Sequence, residues 1–169
     1  MAHVTETIER SGRRIGRHAW IEARLFEVLG RWSGTVGDPR ARALFGRQSH
    51  HHAWHAELWH DLLPALPHLP ASGLVVPDEA SARLAATLVD LDEDTDPAAD
   101  DGVAARLDAV YVVALPELVD SYTDHLEHTT VVADGPTTRA LRLVLADLAD
   151  DLAAGEALRA DRGTPAGDR

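Results

Sequence analysis

The 169-residue chain reads as an all-α protein, a four-helix bundle with an extra short helix in its central crossover. Three observations predict this. Ala and Leu dominate over Val, Ile and Thr, a balance that favours helix over strand. Apolar residues recur at helical spacing through four long stretches. Gly, Pro and Asp punctuate the chain between those stretches, with no internal repeat and no alternation of strand and helix patterns. The length accords with one domain, assigned to residues 1–158.

The first helix is expected from about Thr5 to Ser33. Its apolar residues Ile8, Ile15, Ala19, Leu25, Phe26 and Leu29 share one broad face, and Arg10, Arg13, Arg17, Arg24 and Arg31 lie opposite. Gly34 and Gly37 end it. Asp38-Pro39 opens the second helix, Asp as N-cap and Pro in the first turn. That helix runs to about Leu63, where Pro64, Pro67 and Pro70 stop it. Pro77-Asp78-Glu79 starts a shorter helix to about Val89, followed by an acidic loop from Asp90 to Asp101. The third long helix spans about Asp101 to Thr130, with a kink expected near Tyr111 to Glu117 because Pro116 falls inside it. Asp134-Gly135-Pro136 begins the fourth, which continues to about Leu158. Residues 159–169 are polar and rich in Gly and Pro, and read as a disordered tail.

Composition excludes several chemistries. There is no cysteine, hence no disulfide, iron–sulfur cluster or thiol nucleophile. All sixteen basic residues are Arg, so Schiff-base and Walker-type lysines are excluded as well. Residues 1–70 carry nine Arg against seven acids and residues 71–169 seven Arg against twenty-one, which gives +2 and −14, the net −12 of the chain. So acidic a chain predicts no nucleic-acid partner, because phosphate neutralisation supplies most of that affinity. No charged-then-apolar leader and no span-length apolar run is present, which predicts no membrane partner and a cytoplasmic protein.

The chemistry gathers around HHHAWHAELWH, residues 50–60, with five histidines in eleven positions. On a helical wheel Gln48, His51, His52 and His55 share the apolar face of the second helix with Leu44, Phe45, Leu58, Trp59 and Leu62. His50, Glu57 and His60 point outward. In the first helix Glu22 lies near the centre of the apolar face, one turn from His18, whereas Glu27 projects away. A buried carboxylate requires a partner, a raised pKa or a metal. In the third helix Val103, Leu107, Val110, Ala114 and Leu118 set the seam and His125 continues it, flanked by Tyr122 and His128. In the fourth, Leu141, Val144, Leu145, Leu148 and Leu152 face the core, Asp147, Asp150 and Asp151 face away, and Glu156 is the one acid near the inner face.

Neutral imidazole and carboxylate are reasonable ligands for iron, manganese or zinc. A spacing of three or four brings two helical side chains to one ion. The candidate ligands are Glu22, His51, His55 and His125, with Gln48, His52 and His128 as additions. No nucleotide cofactor is indicated.

A long-helix bundle with an inward Glu in EARLFE (Glu22) resembles the ferritin-like superfamily. That family offers a Glu from one helix and E-x-x-H from the next, then repeats the pattern. Here Gln48-Ser49-His50-His51 stands at the E-x-x-H, with Gln in place of the carboxylate and His51 matching the histidine. Glu117 or Ser121 stands at the third-helix position, and the fourth helix has no E-x-x-H. The resemblance implies the scaffold and, at most, an incomplete metal centre. The chain is also similar to DinB-like bundles, which use histidines for a single metal, here His51, His55 and His125. Two further readings stay open. One is a metal-free binding or interaction protein in which Glu22 pairs with seam histidines and the Arg face of the first helix docks on an acidic surface, such as that of a second copy in a homodimer. The other is acid–base catalysis by His55 and Glu22.

Overall fold

A computed structural model describes residues 7–129 and 134–163. In chain order the elements are α1 (Ile8–Thr35), α2 (Pro39–Asp61), α3 (Ala71–Leu74), α4 (Glu79–Asp94), α5 (Asp100–Asp108), a π-helical segment (Ala109–Ala114), α6 (Leu115–Glu127) and α7 (Gly135–Gly163). Among the described residues there is no strand, only an isolated bridge between Leu66 and Leu69. The class is all-helical, as composition and periodicity predict. Thr5, Thr130 and residues 164–169 lie outside the described residues.

Local chemistry sets the helix ends. Thr7 caps α1 by accepting from the Arg10 N–H at 3.3 Å, and Asp38 caps α2 by accepting from the N–H groups of Arg40 and Ala41. Asp78 caps α4 through the Ser81 N–H and also accepts from Arg17 at 2.7 Å, which ties α4 to α1. The acidic loop expected from Asp90 is instead helical to Asp94. The reason is Asp92, whose carboxylate accepts from Trp32 Nε1 at 2.9 Å and from the buried Arg106 at 3.2 Å. Arg106 also donates to Thr95 and to the Gly102 carbonyl, so one guanidinium closes the crossover from α4 to α5.

The long helices are bound by a seam with alternating steps of three and four residues, the spacing that keeps one stripe facing a partner helix. In α1 it runs Ile15, His18, Glu22, Leu25, Leu29 and Trp32. In α2 it runs Ala41, Phe45, Gln48, His52, His55 and Trp59, and in α7 Thr137, Leu141, Val144, Leu148, Asp151, Gly155 and Leu158. α1 packs along α2, α6 along α7, and α2 against α7, while α3 and α4 lie on α1. Phe26, expected on the core face of the first helix, is exposed because it falls off this repeat, whereas Ile8 keeps the repeat but is the first residue of α1, ahead of the buried stretch that begins at Gly12.

The expected kink at Pro116 takes another form. Pro116 has no N–H for the helical ladder, and just before it the Leu115 N–H reaches back to the Val110 carbonyl, five residues away. The π-helical segment absorbs one extra residue, and this changes which side chains face inward. A regular repeat continued from Val110 and Ala114 would reach Glu117 and Ser121. The buried residues are instead Leu118 and Tyr122, and Glu117 is exposed.

The tail expected from Arg159 is helical to Gly163. Arg159 donates to Asp108 at 2.7 Å, and Arg162 pairs with Asp38 and Asp100, so the last turn is held to α5 and to the start of α2.

Gly155 allows a close contact between α7 and the π-helical segment. A Cβ there would lie 2.2 Å from the Tyr111 ring. Gly155→Ala therefore forces Tyr111 to move and lowers stability by about 1–3 kcal/mol, read as a fall in the thermal midpoint. Gly34→Ala is the control, since nothing lies within 4 Å of its Cβ position; its midpoint stays level or rises.

Candidate metal centre

Glu22 is placed mid-helix on the α1 seam, and its carboxylate is fully removed from solvent. Tyr122 donates its hydroxyl to Oε1 at 2.5 Å. His52 donates Nδ1–H to Oε2, also at 2.5 Å. His55, one turn along α2, brings its Nδ1 to 3.5 Å from the same Oε2. The far nitrogen of His55, Nε2, donates to Asp147 Oδ2 of α7 at 3.1 Å. Three helices thus meet at one carboxylate, α7 joins them through His55, and both imidazoles are as buried as the carboxylate is.

Burial would raise the Glu22 carboxyl, but the charge and hydrogen bonds of His52 and His55 outweigh it and hold the group at about 2. Burial likewise works against a charged His55, and the carboxylates of Glu22 and Asp147 override it, so its proton affinity is raised. Burial, and next the Glu22 carboxylate, push the Tyr122 phenol well above its ordinary range, which keeps it a hydrogen-bond donor.

The proton inventory decides what the cluster needs. It is as cations that His52 and His55 lower the Glu22 carboxyl; in the neutral form that a metal requires, each imidazole has one N–H and one bare nitrogen. His52 spends its N–H on Glu22, which leaves Nε2 bare, buried and without a partner. His55 spends its N–H on Asp147, which leaves Nδ1 bare, buried and facing a carboxylate oxygen. Two lone pairs opposed at 3.5 Å in a dry interior call for a cation between them, either a proton or a metal ion. Tetrahedral ligand bonds of about 2.0–2.1 Å put donor atoms about 3.4 Å apart, close to this separation. Donor atoms of Glu22, His52 and His55 all lie within 4.8 Å of one another, so this group could hold a metal ion.

Of the ligands expected from sequence, the structure joins Glu22 and His55 and adds His52. His51 is on the flank, half-buried, and donates from Nδ1 to Asp151 at 2.9 Å. His125 is buried but paired with His18, nitrogen to nitrogen, at 2.9 Å. Gln48 accepts from the Tyr111 hydroxyl at 2.6 Å and donates to the Asp151 carbonyl. His128 is exposed and donates to the Asp124 carbonyl. His50, Glu57 and His60 are exposed as expected, and so is Glu156.

The expectation that Asp147 and Asp151 face away is corrected. Asp151 is 1% exposed and Asp147 holds His55. The signal was present in the three–four repeat, which passes from Leu148 through Asp151 to Leu158. Following Leu145 and Leu152 instead, both only partly buried, rotates the wheel and turns these acids outward. The same reading of α2 selects His51 where the repeat selects His52.

No known protein family matches the chain, and neither a curated protein nor a solved structure matches it. Among the described residues no helix is long and apolar enough to cross a membrane.

The buried histidines give a pH dependence. Burial, then Arg14 and Arg17, hold His125 at about 3, and burial with His125 and Arg17 keeps His18 well below its ordinary value. Below about pH 6.5 the unfolded chain takes up protons that these native groups refuse, so stability is full above that pH and declines toward about 3. His55 acts oppositely: its contribution is complete below about 6.5 and is lost as pH rises through its raised native value. Metal-free protein should therefore lose urea resistance from pH 6.5 to 4. His125→Leu should flatten that decline by up to about 1.4 kcal/mol per pH unit.

Proposed function

We propose that the protein is a ferritin-like four-helix bundle that binds one divalent transition-metal ion, iron, manganese or zinc, at Glu22, His52 and His55. The observation that carries this reading is the pair of buried imidazole nitrogens without a hydrogen-bond partner beside an ionised carboxylate. One carboxylate and two imidazoles form a donor set common to zinc and non-haem iron. Bound there, such an ion supplies a Lewis acid that activates water or a small ligand at its remaining positions.

The chain's own residues do the rest. Asp147 holds the Nε2–H tautomer of His55 and so directs the Nδ1 lone pair at the site. Tyr122 holds Oε1 and leaves Oε2 to share. The closed seam excludes bulk water from the three donors.

A second reading, a metal-free scaffold with a degenerate site, is favoured by the raised proton affinity of His55. A proton on Nδ1 would complete a buried Glu22–His55–Asp147 chain, an arrangement that sets helix register. The Arg face gives this reading less support as a docking surface: Arg13, Arg17, Arg24 and Arg31 already pair with Glu9, Asp78, Glu27 and Asp92.

Competition titration with a chromogenic chelator separates the two. The metal reading expects one Zn(II) or Fe(II) per chain. It expects affinity reduced about 100-fold or more in Glu22→Gln and His55→Ala, and about 10- to 100-fold in Asp147→Ala. His51→Ala and His125→Ala should bind as the wild type does. Excess metal should raise the thermal midpoint of the wild type, by mass action on the native state. Absence of stoichiometric binding would leave the metal-free reading.

A further inference from the structure

The three donors are sealed, so any cation that reaches them must pass a wall of the bundle. Two depressions approach the cluster from different sides. On the α2–α7 face a surface pocket of about 350 Å³ is lined by His50, His51, Trp54, Leu143 and Asp147. At its floor the Asp147 carboxylate, 35% exposed, is bonded to His55. On the other side a cavity of about 70 Å³ reaches Tyr122 and is lined by Arg17, His18, Asp78 and Ser81 among others.

Their chemistry differs in what it admits. The α2–α7 pocket offers two imidazoles and a carboxylate, donors that attract and transiently ligate a divalent cation. The opposite cavity also has an imidazole and the carboxylates of Asp78 and Glu117, but it is much the smaller, its Asp78 is paired with the Arg17 guanidinium, and the Tyr122 hydroxyl already occupies the carboxylate oxygen on that side. The ring of His55 stands between the α2–α7 pocket and Glu22, with Nε2 on Asp147 and Nδ1 on the buried carboxylate. Trp54 lies against that ring, with centroids 5.5 Å apart, and is itself 42% exposed.

We infer that this pocket is the portal through which a divalent cation enters and leaves the buried centre, with His51 and Asp147 capturing the ion at the surface, His55 swinging to admit it, and Trp54 limiting the swing. The inference rests on the metal-binding reading. A portal is crossed in both directions, so a change in it multiplies loading and release by the same factor and leaves the equilibrium affinity alone. A ligand behaves otherwise, because its loss changes the affinity.

The test is Co(II) loading of the full chain followed by visible absorption in stopped flow, with EDTA extraction as the reverse step. Trp54→Ala should speed loading and extraction together by about tenfold at unchanged affinity, and Leu143→Trp, which narrows the pocket, should slow both. Ala80→Trp, at the opposite cavity, should leave both rates as they are. Wild-type rates in Trp54→Ala and Leu143→Trp, or slowed rates in Ala80→Trp, would overturn the portal while the centre stood. No stoichiometric Co(II) uptake by the wild type would overturn the centre and the portal with it.

Discussion

The carboxylate of Glu22 carries a full charge in the middle of a helical core, where an unpaired ion costs several kcal/mol. Everything around it is arranged to meet that cost. Tyr122 and His52 donate to its two oxygens, and His55 connects it to Asp147 at the edge of the bundle. Each donor comes from a different helix or a different turn, so the charge constrains how α1, α2, α6 and α7 can slide past one another. Apolar packing alone tolerates small shifts of register. A carboxylate with two donors at 2.5 Å does not.

The same constraint explains the irregular part of the third long helix. Carried on without interruption, its repeat would deliver Ser121 and Glu117 to the seam. A second carboxylate from Glu117 would add negative charge to the core. The π-helical segment before Pro116 moves the face by one residue, so that Tyr122, a donor that remains protonated, arrives at Glu22. Gly155 supports this geometry from the opposite helix by letting the Tyr111 ring lie against the α7 backbone, where its hydroxyl reaches Gln48.

Much of this was legible in the sequence. Helical spacing and punctuation place the long helices, and the wheel of the first one isolates Glu22 as the carboxylate without a cheap explanation. His55, Gln48 and His125 fall inward for the same reason. The remainder was hidden for physical causes that can be named. Neighbouring positions on a helix differ by about 100°, so His51 and His52 both border the apolar face, and only the strict alternation of three and four selects His52. Asp147 and Asp151 read as solvated because leucines on both flanks offer two candidate stripes on the fourth helix. The π-helical segment leaves no periodic trace of its own; Pro116 marks the place and not the shift. Ligand residues brought together from separate helices depend on register, which one strand of sequence does not contain.

The central claim is that the opposed lone pairs of His55 and Glu22 are bridged by a metal ion. The most direct measurement is anomalous diffraction at the metal absorption edge, from crystals of untagged protein grown with Zn(II) or Mn(II). The account predicts one anomalous peak per chain, within coordination distance of Glu22 Oε2, His55 Nδ1 and a ring nitrogen of His52, with Asp147 still bonded to His55 Nε2. A peak confined to His51 and Asp151, or no peak at all with the Glu22–His52–Tyr122 hydrogen bonds intact, would contradict it.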